Sequence, residues 1–172
     1  APMTRALIEL TLRFAKAYSA EKRRRAEVDF ADLEHMAAQL LTNEDGSPTP
    51  LARETSKRFC EIMVDEYQDV NRVQDDIFRA LSDDGKNLFM VGDVKQSIYR
   101  FRLADPTIFL RKYNAYTPAA QAEDGQPRKV LLSQNFRSRA SVLDACNAIF
   151  QSIMSAEMGE MDYGPEERLN FG

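Results

Sequence analysis

The stretch Cys60-Glu61-Ile62-Met63-Val64-Asp65-Glu66-Tyr67-Gln68-Asp69 joins a short apolar run to a pair of carboxylates. A strand buried in a parallel sheet reads this way, with charged residues emerging at its carboxyl end. In open α/β sheets that edge is where ligands bind. An Asp there can hold a magnesium ion through its water shell, and a neighbouring Glu can orient or deprotonate an attacking water. Two acids after a strand equally suit a helix N-terminus, where carboxylates satisfy free backbone N–H groups. On this stretch alone the two readings stand level.

Two further units of strand and polar turn follow. Asn87-Leu88-Phe89-Met90-Val91 runs into Gly92-Asp93-Val94-Lys95-Gln96-Ser97-Ile98-Tyr99-Arg100-Phe101-Arg102. Later, Lys129-Val130-Leu131-Leu132 runs into Ser133-Gln134-Asn135-Phe136-Arg137-Ser138-Arg139. Helices are predicted around them. Leu7, Ile8, Leu10, Leu12, Phe14, Ala15 and Tyr18 recur at roughly helical spacing between Thr4 and about Arg25. Asp29 can cap a second helix carrying Leu33, Met36, Ala37, Leu40 and Leu41, and Asn43 to Pro50 is a loop by composition. A helix from Leu51 to about Arg58 leads into the first strand. Asn71 to Ser82 reads as a helix with Val73, Ile77, Phe78 and Leu81 inward, and Asp83-Asp84-Gly85 turns the chain back. Asp105-Pro106 opens a helix ending near Tyr116, Pro fitting the first turn. Thr117 to Pro127 is expected as a flexible connection. Ala140 to about Ser155 is expected as a helix with Val142, Leu143, Ala145, Cys146, Ile149 and Ile153 as its core face, followed by a loosely held tail.

Strands alternating with helices imply an α/β fold with a parallel sheet. With three strands visible, that sheet should keep an unprotected edge, open to dimerisation or strand exchange. The 172 residues, 44% hydrophobic and 29% charged, suit one globular unit rather than a disordered chain. No apolar run approaches the roughly 18 residues that cross a bilayer, and the start lacks a secretory h-region, so a cytoplasmic setting without membrane contact is expected. Cys60 and Cys146 show no ligand spacing and are read as buried thiols. Lone His35 reads as a surface or partly buried side chain.

A net charge of −4 argues against binding nucleic acid through the overall field, so any DNA contact must come from local basic clusters. Lys22-Arg23-Arg24-Arg25 suits a solvated helix end. Arg100, Arg102, Arg111 and Lys112 lie beside aromatics and form the better candidate.

Taken together, DExQD at Asp65–Asp69, VGDxxQSIYxFR at Val91–Arg102 and NFRS at Asn135–Ser138 resemble motifs II, III and IV of the superfamily 1 helicases related to UvrD, Rep and PcrA. Rep-like enzymes usually carry acidic residues where Val94 and Lys95 stand, and Gly where Leu103 stands. With Val28-Asp29-Phe30-Ala31-Asp32-Leu33-Glu34 upstream and Met161-Asp162-Tyr163-Gly164 downstream, the chain is most similar to the AddA subunit of the AddAB-type helicase–nucleases. The resemblance covers roughly Val28 to the C-terminus.

That resemblance implies a truncated RecA-like P-loop NTPase fold. The implied organisation is a helical section over 1–58, a partial core with motifs II to IV over 59–139, and a helix and tail over 140–172. It implies ATP and Mg2+ as cofactors of the parent enzyme, single- and double-stranded DNA and a second helicase–nuclease subunit as partners, and action in double-strand break repair. Asp65 and Glu66 would be the metal-holding and catalytic acids. Gln96 would sense the γ-phosphate, Phe136 would stack on adenine, and Arg137 would be an arginine finger.

Tyr99 and Phe101 resemble the pair between which single-strand bases stack, and spacing of two puts them on one side of an extended segment. Arg100 and Arg102 would meet phosphates. Core packing remains open for Phe136, and burial for one of Tyr99 and Phe101. No G-x-x-x-x-G-K-S/T phosphate loop occurs in the 172 residues, so the chain is expected to be an internal piece that does not hydrolyse ATP by itself. A nuclease site on Asp65, Glu66 and Asp69 is a competing reading. It leaves the other two motifs unexplained, and the nuclease of such enzymes belongs to a C-terminal region absent here. The reading from a different class is a non-catalytic module that binds single-stranded DNA or a partner subunit.

Overall fold

The computed structural model describes residues 2–83, 85–159 and 161–172. Asp84, expected in the turn after the fourth helix, lies outside them. The first helix, α1, spans Pro2–Arg25 and buries none of its side chains. Its basic C-terminal turn is partly engaged. Lys22 Nζ reaches Asp29 Oδ2 at 2.9 Å and also bonds Asp32, while Arg24 and Arg25 pair with Glu21. Asp29 is the cap expected for α2 (Phe30–Leu41), in a reciprocal capping box with Asp32. The Lys22 ammonium and the Asp32 N–H bonded to Asp29 hold its carboxyl down at about 2. Lys22 thus clasps α1 to the start of α2 instead of standing free in solvent.

Thr49 caps α3 (Pro50–Ser56), with Pro50 in the first turn, and Thr42 bridges to Pro48 across the expected loop. Strand β1 (Ile62–Val64) pairs parallel with β2 (Leu88–Met90), Ile62 opposite Leu88 and Val64 opposite Met90. Between them runs α4 (Arg72–Leu81), capped by Asn71 and Gln74 in a second reciprocal box. Helices α2 and α3 pack on α4. Helix α5 (Pro106–Ala115) starts from Asp105, whose carboxylate accepts the Thr107 N–H. Its Ile108 joins Tyr67 and Val70 in the core, with Val64, Phe78, Met90 and Phe109 packed around them.

The expected third strand does not join this sheet. Of the run Lys129–Leu132 only Lys129 is in a strand, β4 (Arg128–Lys129), which pairs parallel with β3 (Thr117–Pro118) beyond α5. Ala119 N–H donates to Lys129 O, and Lys129 Nζ donates to Tyr113 O at 2.9 Å. Val130 and Leu132 are exposed. An apolar run states that a segment can be buried, but the edge it joins is settled by non-local pairing. Thr117 to Pro127, expected as a flexible connection, opens with that strand pair.

The third sheet pairs β5 (Gln134–Asn135) with β6 (Asn170–Phe171). Helix α6 (Ala140–Ile153) buries Leu143 and Asn147, whereas Val142, Ile149 and Ile153 of its expected core face are exposed. The tail is anchored rather than loose. Asn147 donates through Nδ2 to Leu169 O, and its Oδ1 accepts from Leu169 N–H and from the Tyr163 hydroxyl at 2.6 Å.

Cys60 is exposed and Cys146 half-buried, both free, which corrects their reading as buried thiols. Cys60 lies before β1 starts, outside the stretch that alternates into the core. Met63 and Phe89, opposite one another in register, are 70% and 60% exposed, so one face of the β1–β2 pair is bare. Among the described residues no helix is long and apolar enough to cross a membrane.

Asn147→Ala should cost about 1–3 kcal/mol, the penalty of stranding the buried polar groups it serves. Urea melts of the chain measure this, and amide exchange over residues 161–172 should accelerate.

Candidate functional site

The backbone leaves β1 at Val64 and bends sharply. Glu66 has φ 50° and ψ 43°, in the left-handed region that costs a non-Gly residue about 1–2 kcal/mol. The bend feeds a 3-10 turn, Tyr67–Asp69, that buries Tyr67 and Gln68 and leaves Asp65 and Glu66 at the strand's end. Asp65 Oδ1 accepts the Glu66 N–H at 2.9 Å. Neither acid caps a helix: α4 starts six residues beyond Glu66 and Asn71 caps it, while Glu66 makes no capping bond to the 3-10 turn. The pair therefore stands at the end of the strand, with neither side chain capping a helix.

Strand β2 emerges at the same edge. Val91 N–H donates to Val64 O, and Tyr67 N–H to Val91 O, which carries the pairing just past both strands. Gly92-Asp93 then enters a 3-10 turn, Val94–Gln96, capped when Asp93 Oδ1 accepts the Lys95 N–H. Gln68, only 1% exposed, bridges the two turns. Its Nε2 donates to Glu66 Oε2 at 2.7 Å and its Oε1 accepts the Asp93 N–H at 2.9 Å. Asp93 Oδ2 in turn accepts from Gln96 Nε2 at 3.1 Å, and Lys95 Nζ lies 2.9 Å from Asp93 Oδ1. Glu66, Gln68, Asp93 and Gln96 form one hydrogen-bonded chain. Glu66 and Gln96 are both among the site residues expected from the sequence. Gln68 was read only as completing motif II with Asp69 and tying the site together, without separate chemistry, and Asp93 went unremarked. The available signal was a Gln two residues after the acids facing a Gly that leaves room for it.

Among the described residues, no three Asp, Glu, His or Cys side chains gather as a metal cage. Asp65 and Glu66 instead offer two carboxylates at the strand's end. That set fits magnesium, which commonly takes one or two carboxylates and fills its octahedron with water and phosphate oxygens. Asp69 is set apart: its buried Oδ1 has no hydrogen-bond partner, and desolvation, then the Glu66 charge, push its carboxyl upward. It borders a cavity of about 460 Å3 shared with Glu34, Asn71, Tyr99 and Arg102. Glu34 of α2 accepts from Asn71 Nδ2 and Gln74 Nε2, tying the helical section to the start of α4.

Tyr99 and Phe101 come together, but not along an extended segment. Arg100–Arg102 is a 3-10 turn, and the two rings touch at 6.0 Å between centroids, tilted by 45°. Stacked bases rise about 3.4 Å, so a base held between two parallel rings needs them about 6.8 Å apart. The pair therefore presents one composite face, with the Arg102 guanidinium 5.5 Å from each centroid. Both aromatics are exposed, so neither belongs to the core. Arg100 and Arg111 are exposed too, whereas Lys112 leaves the expected basic cluster: it turns inward to Asp75 at 3.2 Å and lies against the Tyr67 ring. Leu103 closes the turn at φ 68°, where a Gly would sit without strain.

Phe136 and Arg137 lie at the end of β5, in the third sheet. Phe136 is 78% exposed, which excludes core packing. Asn135 Oδ1 accepts the N–H groups of Arg137 and Ser138. Among the described residues, no hydrogen bond or ion pair joins Arg137 or Phe136 to Asp65, Glu66 or Gln96. The structure brings motifs II and III together and carries motif IV separately.

A Cβ on Gly92 would stand 2.8 Å from Gln68 Oε1, 3.2 Å from Gln68 N and 3.2 Å from Phe109 Cε1. Gly92→Ala should therefore destabilise the chain by about 1–3 kcal/mol, the usual cost of overpacking. Denaturant midpoints measure it.

Comparison with known proteins places these turns in a family. The profile described as UvrD/REP helicase N-terminal domain matches residues 4–117, which end where β3 begins. The chain is 50% identical over 179 aligned positions to the AddA-type ATP-dependent helicase/nuclease subunit of Acetivibrio thermocellus, covering 99% of this chain and 14% of that protein. It is 47% identical to the same-named subunit of Clostridium acetobutylicum, covering 99% and 14%, and 45% identical to that of Staphylococcus aureus strain JH9, covering 100% and 14%. The chain thus spans about 14% of the length of these relatives. With its acid pair and its glutamine turn at one edge of a parallel strand pair, and a matching profile over most of its length, the chain belongs to the UvrD/REP helicase N-terminal domain family.

Proposed function

We propose that this chain is the part of an ATP-dependent DNA helicase subunit, of the AddA helicase–nuclease type, that carries motifs II to IV of a truncated RecA-like core. The observation that carries this reading is the β1–β2 pair, whose parallel register delivers Asp65, Glu66 and the Gln96 turn to one edge, joined through Gln68. Asp65 and Glu66 hold the magnesium side of the ATP site, where the ion offsets charge on the phosphates. Glu66 orients the attacking water, and Gln96 faces the γ-phosphate. Phe136 and Arg137, as adenine platform and arginine finger, belong to the same site and reach it from the other side of the cleft, residues 140–172 leading on into the next helicase domain.

The whole enzyme acts with a second subunit on double-stranded DNA ends in recombinational repair in the cytoplasm, and Tyr99, Phe101, Arg100 and Arg102 hold the single strand. Without a phosphate loop in its sequence, this chain alone is inactive. A second reading, a module that binds single-stranded DNA without nucleotide, is favoured by the exposed Tyr99–Phe101–Arg102 face, which stands complete in this structure.

Three experiments test these assignments. The full-length subunit should hydrolyse ATP when DNA is present, and Glu66→Gln should cut kcat by about 10²–10⁴-fold, the range for a group that positions or deprotonates the nucleophile. The 172-residue chain should show no saturable Mg-ATP binding by calorimetry, and tight binding would overturn its proposed inactivity. For the DNA face, oligothymidine binding to this chain should weaken with added salt. Tyr99→Ala and Phe101→Ala should each cost about 1–3 kcal/mol per lost stack. Unchanged affinity in the double variant would remove the DNA role from this surface.

A further inference from the structure

Gln68 is a buried polar side chain with both ends of its amide engaged, one end on each of two turns. The Asp93 N–H is an obligatory donor, so the amide oxygen must face it, and the NH2 is left facing the Glu66 carboxylate. Gly92 lets the two backbones close on that amide. We infer that Gln68 is a positioning residue that sets the Glu66 carboxylate against the motif III turn, so that a shift of Gln96 is transmitted through Asp93 and Gln68 to Glu66. The inference rests on the helicase reading above.

The physical argument is one of constraint. Glu66 sits on a left-handed residue at a strand end, and Gln68 supplies the one side-chain hydrogen bond found for its carboxylate among the described residues. A carboxylate fixed by a neutral donor keeps its charge and its remaining lone pairs for a water molecule. The same amide fixes Asp93, whose second oxygen holds Gln96. Moving Gln96 by one hydrogen bond therefore loads Asp93, then the amide, then Glu66. Groups linked in this way are energetically coupled, with interaction energies of about 0.5–3 kcal/mol, or roughly 2- to 150-fold.

The test uses the full-length subunit with its partner, measuring DNA-stimulated ATP hydrolysis in a double-mutant cycle. Gln68→Met, close in shape without hydrogen bonds, should lower kcat by about 10- to 100-fold and leave KM for ATP within about 3-fold, because an interaction that positions the nucleophile acts in the transition state. In a Gln96→Ala background the same change should cost less than about 3-fold, since the path it serves is already cut. Gln68→Glu keeps the acceptor for Asp93 and loses the donor to Glu66. It should lower kcat in the same way, and it carries the test if the Met variant fails to fold.

Losses that multiply independently in the two backgrounds, or wild-type kcat and DNA stimulation in Gln68→Glu, overturn the inference. If the unmodified subunit shows no DNA-stimulated hydrolysis, it is the helicase reading that fails, and Gln68 falls with it.

Discussion

The amide of Gln68 spans two turns that would otherwise be separate loops at the end of a two-stranded sheet. A buried amide left half-satisfied costs on the order of 1–3 kcal/mol, so it can be buried here only if both turns come to it. That requirement explains features that are otherwise unrelated. Glu66 adopts a left-handed conformation, which swings its carboxylate to the Gln68 donor. Gly92 lacks the Cβ that would collide with the Gln68 oxygen. Asp93 then works at both ends, giving its N–H to Gln68 and its carboxylate to Gln96 and Lys95. Tyr67, the neighbour of Gln68, roots the whole turn in the core between Phe78 and Phe109.

Chemical parts are distributed unevenly over the three small sheets. The β1–β2 pair carries the acids and the glutamine turn, while β5–β6 carries Phe136 and Arg137, with the β3–β4 pair between them in sequence. Motif II and motif III share a hydrogen-bond network, and motif IV is internally braced by Asn135 instead. The exposed aromatic face at Tyr99 and Phe101 lies only a few residues beyond Gln96, joined to it by one short stretch of backbone.

Large apolar surfaces remain bare. The α1 stripe of Leu7, Leu10 and Phe14, and the Met63–Phe89 face of the first sheet, are more than half exposed. Parallel sheets are normally covered on both faces, and a helix with an apolar stripe normally packs it away. The relatives that match this chain are roughly seven times longer, as the 14% coverage implies. For α6, periodicity found the helix but only part of its burial: Leu143 is buried, while Val142, Ile149 and Ile153 of the expected core face lack a covering partner.

Local chemistry written into the sequence was legible. Asp29 and Asp105 cap the helices they were read to cap or open, and Asn71, read as the first residue of its helix, is its cap, because a short polar side chain before an apolar period satisfies N–H groups a few residues away. The acid pair after Ile62-Met63-Val64 and the three motifs in order pointed to the family that the profile over residues 4–117 and the relatives show, because such motifs are local strings of residue types that can be read without the fold. Tertiary structure alone decided which strand edges were used, sending residues 128–129 to β3 rather than beside β2. It also drew Lys22 and Lys112 into ion pairs, folded Tyr99 and Phe101 together on a 3-10 turn, and anchored the tail on Asn147. The Lys112 and Asn147 contacts join residues far apart in the chain, Lys22 reaches across the break between two helices, and the aromatic pair depends on backbone torsions such as that of Leu103. No local pattern encodes them, because their energy comes from desolvation and pairing that exist only once the elements have met.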